Sequence, residues 1–195
     1  VSYGQISLTY DLANNLQAKL RTGLNYYALD RETREPISFV RSFTRTMGNF
    51  SVRNDNDFNI NTDLIISYKK VFGDFLQFDA RAGVSNNYAN HRYSSVASDG
   101  LVIPGFYNIA NSLNVINGSN SYRESERNSV YGILDLEFLQ SIYIGISGRN
   151  DWVSTLPLKN NSFFYPSVGV SYVVTDMFDI PDPVTFLKLR GSWAQ

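Results

Sequence analysis

The chain has 195 residues, with 17 Lys and Arg against 18 Asp and Glu, one histidine and no cysteine. A net charge of −1 without a basic run leaves no electrostatic footprint for nucleic acid, and the missing cysteine excludes disulfides, thiolate metal sites and thiol catalysis together. No run of about 18 apolar residues occurs, so no transmembrane helix is expected, whereas 13 tyrosines and 13 phenylalanines among Asn, Ser and Gly clusters favour strands and turns.

In chain order, a period of two recurs. From Gly4, Ile6, Leu8, Tyr10 and Leu12 alternate with Gln5, Ser7, Thr9 and Asp11, and "ANN" turns the chain into Leu16–Asp30. There Leu16, Ala18, Leu20, Thr22 and Leu24 alternate with Gln17, Lys19, Arg21, Gly23 and Asn25, which completes a hairpin. A second hairpin joins Phe58, Ile60, Leu64, Ile66 and Tyr68 through "FGD" to Leu76, Phe78, Ala80, Ala82 and Val84. A third joins Val130, Leu134, Leu136 and Phe138 through "LQS" to Ile142, Ile144 and Ile146. A seventh strand carries Val168, Val170, Tyr172 and Val174, and an eighth alternates Leu187, Leu189, Gly191 and Trp193 with Lys188, Arg190 and Ser192.

Connections near Asn14, Gly73 and Gln140 are short, as is "TDMFDIPDPV" after the seventh strand. Those at roughly residues 30 to 55, 89 to 127 and 150 to 164 are long, on the opposite side of the sheet; loops beyond about 12 to 15 residues are uncommon inside compact domains. Two architectures place a polar face opposite an apolar one. A soluble sandwich buries its apolar face between sheets and uses strands of about 5 to 6 residues. An outer-membrane barrel turns its apolar face to lipid and its polar face to a watery lumen, with about 9 to 11 residues per crossing. Several strands here sustain alternation past ten residues, which favours the barrel.

No residue set carries catalysis, and no cofactor is expected. Asp55, Asp57 and Asn59 present oxygens at alternate positions, as a calcium loop does, but Ile60 stands where glycine is required and Ile66 where a glutamate is required. They are expected to share one strand face and to point into the lumen. His91, the sole histidine, is read as a solvated loop residue beside Arg92 with no acid or nucleophile at a recognisable spacing. Phe106, Tyr107, Tyr122 and Trp152 are read as loop aromatics that pack locally, with sugar stacking or lid contact as the alternative. Arg149 and Asp151 are expected to pair near a strand end. The sequons at Asn49, Asn117 and Asn160 are chance matches in an Asn- and Ser-rich chain.

Residues 128–195 carry a family resemblance. "SVYGILDLEFLQSIYIGISGRNDWVSTLP", "FFYPSVGVSYVVTDMF" and "FLKLRGSWAQ" resemble the barrel of the SusC/RagA family of TonB-linked outer-membrane proteins of Bacteroidetes. Arg149, Asp151 and Thr155 match an R-x-D-x-S-S-like step, although Val153 replaces a small polar residue. Tyr165, Pro166, Ser167 and Val168 match an aromatic strand opening, and Leu187 to Trp193 match the final strand. The first half shares only the hairpin rhythm. The resemblance implies that residues 1–195 are part of one antiparallel, 22-stranded transmembrane β-barrel, multi-pass in the bacterial outer membrane. It also implies an importer of oligosaccharides, less often peptides, with a SusD-like surface lipoprotein as lid and energy from the TonB complex. No signal peptide is read at "VSYGQISLTY", and the plug and TonB-contacting segment are expected outside this chain. About eight strands of such a barrel are not expected to fold alone, because lipid cannot satisfy open strand edges.

Overall fold

A computed structural model describes residues 1–37, 47–178, 180 and 183–195. Its strands are β1 (Ser2–Ala13), β2 (Leu16–Glu35), β3 (Asn49–Phe72), β4 (Leu76–Ala97), β5 (Asn117–Phe138), β6 (Ile142–Val153), β7 (Ser162–Val173) and β8 (Lys188–Ala194). They form one sheet in the order β1 to β8, each strand beside its chain neighbour. Three single-turn 3₁₀ segments, at 109–111, 158–160 and 174–176, are the only helical turns among the described residues, and no helix is long and apolar enough to cross a membrane.

Every expected strand is present, but β2, β3, β4 and β5 are longer than the alternation suggested. Residues 89–97 and 117–127, read as loop, are strand, and so are 150–153. Composition misleads there: Asn and Ser are weak strand formers, yet cross-strand side-chain pairs hold them in the ladder. The long connection read over residues 30 to 55 shrinks to 36–48, of which 38–46 lie outside the described residues. The connection after β7 runs from Val174 to Leu187 and is not short; Asp179, Pro181 and Asp182 within it also lie outside the described residues.

The residues gather into two compact units. The first comprises Val1–Gly4, Leu24–Ile60 and Ala89–Glu124, and the second Gln5–Gly23, Asn61–Tyr88 and Ser125–Gln195.

In the second unit burial is inverted relative to a soluble protein. Leu64 is 43% exposed and Ile66 45%, and Leu20, Val84, Val130, Ile146, Val168 and Leu189 on the apolar parity are exposed as well. Ser129, Ser141 and Asp151 are buried instead, with Val173 the one buried hydrophobic side chain among the described residues of this unit. A sandwich requires the reverse, so burial decides for the barrel wall. The register shows how the apolar face is built: Leu136 faces Ile144, which faces Val170, and Leu134 faces Ile146, which faces Val168 and then Trp193. These rows give a continuous apolar band across four strands.

Two details fix this wall. A Cβ at Gly83 would lie 2.5 Å from Tyr131 Cζ, so glycine lets the tyrosine ring lie across the strand. The β5–β6 turn closes on Leu139 (φ 50°) and Gln140 (φ 55°), with Ser141 N–H donating to Phe138 O at 3.0 Å. Both central residues are left-handed, as a type I′ turn demands, although neither is Gly or Asn.

The first unit contains the buried hydrophobics Phe50 and Leu101. Its connection 98–116 is a knitted loop. Leu101 N–H donates to Met47 O (2.9 Å), and Val102 N–H to Asn111 O (3.1 Å). Asn111 accepts from Ile103 N (3.0 Å) and donates to Ile103 O (2.9 Å) and Phe106 O (2.6 Å).

Candidate functional site

In the second unit the polar parity forms a lane of ion pairs. Arg21 donates to Asp63 at 2.6 Å from β2 to β3. Lys69 reaches Asp79 at 2.8 Å; Arg81 lies 3.3 Å from Asp79 and also pairs with Asp135 on β5. Arg149 and Asp151 meet at 2.6 Å as expected, and Arg149 also donates to Ser129 at 2.9 Å. Ser147 and Ser167 bridge β6 to β7 at 2.7 Å. Charges so arranged need water or one another, because an unpaired ion in a low-dielectric space is costly. The lane therefore marks the polar side of the wall.

In the first unit Asp55 is 6% exposed and accepts from Arg53 Nε at 2.6 Å. The Arg53 guanidinium lies 4.9 Å from the Tyr93 ring centroid. β4 is 22 residues long, about twice the length a crossing needs, and Tyr93 falls near its long-loop end, outside the hydrocarbon span. There the hydrogen bond to Asp55 raises the Arg53 pKa, and hydrogen bonds with Ser95 and Ser119 hold the Tyr93 phenol below its ordinary value. Asp57 meets His91 Nδ1 at 2.5 Å. His91 therefore lies on β4 and not in a loop, and it faces an acid on β3, a pairing that sequence separation conceals.

Tyr122 and Trp152 are likewise strand residues, on β5 and β6, rather than loop aromatics. Phe106 and Tyr107 do lie in the loop, where Tyr107 meets Phe50 (centroids 6.4 Å apart) and the Arg34 guanidinium lies 6.0 Å from its ring. Val102, Ile103, Phe106 and Val115 (84%) remain exposed on this loop. No group of three or more His, Asp or Glu side chains able to hold a metal occurs among the described residues. The second unit thus carries a polar, charged strand face, and the first an exposed apolar loop crest.

Comparison with known proteins agrees with this geometry. The family model for the TonB dependent receptor-like β-barrel matches residues 2–195. A TonB-dependent receptor of Formosa agariphila is 26% identical over 155 residues, covering 76% of this chain and 16% of the receptor. The structure of the RagAB peptide transporter matches with a TM-score of 0.83 at 16% identity, over 98% of this chain and 22% of that one. The RagAB peptide importer in its "open-open" state gives 0.79 at 19% identity, over the same shares. The chain thus spans less than a quarter of the proteins it is similar to, and with the RagAB chains it shares the fold.

Proposed function

This chain belongs to the TonB dependent receptor-like β-barrel family, a family of receptors and transporters rather than enzymes, and from that premise we propose that its parent is an outer-membrane importer for which these residues form part of the barrel wall. The observation that carries the reading is the inverted burial of the second unit: apolar side chains such as Leu64 and Ile66 stand exposed on one face, while the opposite face carries the Arg21–Asp63 and Arg149–Asp151 pairs. Such a face suits passage of a hydrated solute. The cargo is a large nutrient, an oligosaccharide in the first place and a peptide in the second. The TonB complex supplies energy through parts of the parent outside this chain. A SusD-like lipoprotein closes the outer mouth, and the apolar crest of loop 98–116, Val102, Ile103, Phe106 and Val115, is the surface it meets.

The test is uptake. Cells lacking the parent should fail to accumulate fluorescent oligosaccharides of graded length, and re-expression should restore accumulation only while the proton gradient is intact. Rescue of labelled peptides alone assigns the cargo to the second class. Normal uptake of both in deleted cells contradicts the transport reading and leaves a structural barrel.

A further inference from the structure

On β3, β4 and β5 the parity that carries Leu64, Val84 and Val130 turns polar toward the long-loop ends. Because a strand keeps its alternation, those polar residues share the strand parity of Leu64, Val84 and Val130, the parity that faces lipid on the reading above. Hydrocarbon in a bilayer is bordered by headgroups. In the first unit a cleft of about 510 Å³ opens among these residues, lined by Asn54, Asn56, Arg92, Tyr93, Asn120 and Tyr122 together with Ser94 and Ser121; its size lies within the range of small-ligand sites.

Arg92 is exposed and has no acidic partner within ion-pair distance among the described residues, unlike Arg21, Arg53, Arg81 and Arg149. It is nevertheless held in place: its guanidinium lies 5.3 Å from the centroid of the Tyr122 ring. That ring is fixed in turn, because its hydroxyl accepts from Asn90 (2.8 Å) and donates to Glu124 (2.9 Å). Asn56 gives its carbonyl to the Tyr26 hydroxyl at 3.3 Å, which leaves its amide hydrogens as donors. A pre-positioned guanidinium matches phosphate oxygens in a planar fork, and amide and hydroxyl groups around it match sugar hydroxyls.

We propose that this cleft binds the phosphorylated sugar headgroup of a membrane glycolipid, with Arg92 on the phosphate and Asn56 and Asn120 on the sugar. The proposal rests on the outer-membrane reading above. It assigns the site to lipid rather than to cargo because Asn54, Asn56, Arg92, Asn120 and Tyr122 of its lining share the parity of the exposed apolar residues and not the ion-paired one.

The experiment is native mass spectrometry of the full-length parent in detergent, titrated with bisphosphorylated lipid A, its dephosphorylated form and its deacylated, phosphorylated disaccharide. The wild type should bind bisphosphorylated lipid A at least about tenfold more tightly than the dephosphorylated form, Arg92→Ala should lose about tenfold, Arg92→Lys about threefold and Asn120→Ala about twofold. Each variant is accepted once it shows the heat-modifiable migration of a folded barrel. Equal binding by Arg92→Ala, equal binding of dephosphorylated lipid A, or equal binding of the free disaccharide overturns the proposal. Recovery of the wild-type parent from the soluble fraction, without heat-modifiable migration, overturns the functional reading instead, so the two failures are distinguishable.

Discussion

The two units obey the same period of two and use it differently. In the second unit one parity is apolar and exposed and the other is polar and ion-paired, so alternation there encodes a boundary between lipid and water. In the first unit both parities carry polar pairs between strands: His91 pairs with Asp57 on one and Arg92 stacks on Tyr122 on the other. Among the described residues this unit's buried hydrophobic side chains are Phe50 on β3 and Leu101 in the loop. Alternation reports an environment only where the two sides of a sheet differ. Where both are wet, pairing between strands does the holding.

That contrast can be broken from the lipid side first. Leu64→Arg or Leu20→Arg in the parent should cost about 2–4 kcal/mol if the site is near mid-bilayer, whereas Gln17→Arg, on the polar parity, should cost little. Urea unfolding in bilayers reads the difference, and equal costs at both parities erase the distinction between faces. A smaller effect sharpens the contrast in the loop. Asn111→Ala strands the backbone groups of Ile103 and Phe106 and should cost about 1–3 kcal/mol. It should raise protease cleavage within 98–116 on intact cells while heat-modifiability of the barrel is unchanged. Loss of both together would mean that the loop and the wall melt as one.

The smallest effect has the opposite sign. Left-handed conformations cost non-glycine residues roughly 1–2 kcal/mol each, and Leu139 and Gln140 both adopt them. Leu139→Asn with Gln140→Gly should therefore stabilise the wall by about 1 kcal/mol, seen as a higher urea midpoint. No change would show that the turn is not strained in the folded parent.

All eight strands and the three tight hairpins were legible because each apolar residue had its place in the period. The strand extensions were not. "NNYANHRYSS" reads as loop by composition, yet Asn86 donates to Glu126 at 2.6 Å and Asn90 to Tyr122 at 2.8 Å, contacts made by residues far away in the chain. His91 was misplaced for the same reason. Arg149 and Asp151, two residues apart on one strand, were found because their pairing is local.

The exposed apolar parity of β3 is expected to meet lipid. Because this chain has no cysteine, single cysteines at residues 63 to 67 of β3, in a cysteine-free parent reconstituted in bilayers, can carry nitroxide labels whose collisions with oxygen and with a water-soluble nickel chelate are measured. Labels at Leu64 and Ile66 should favour oxygen, and those at Asp63, Ile65 and Ser67 the chelate, so that parity rather than residue type sets the result. The same accessibility at all five positions, or even positions shielded from both reagents as in a protein core, would contradict the account.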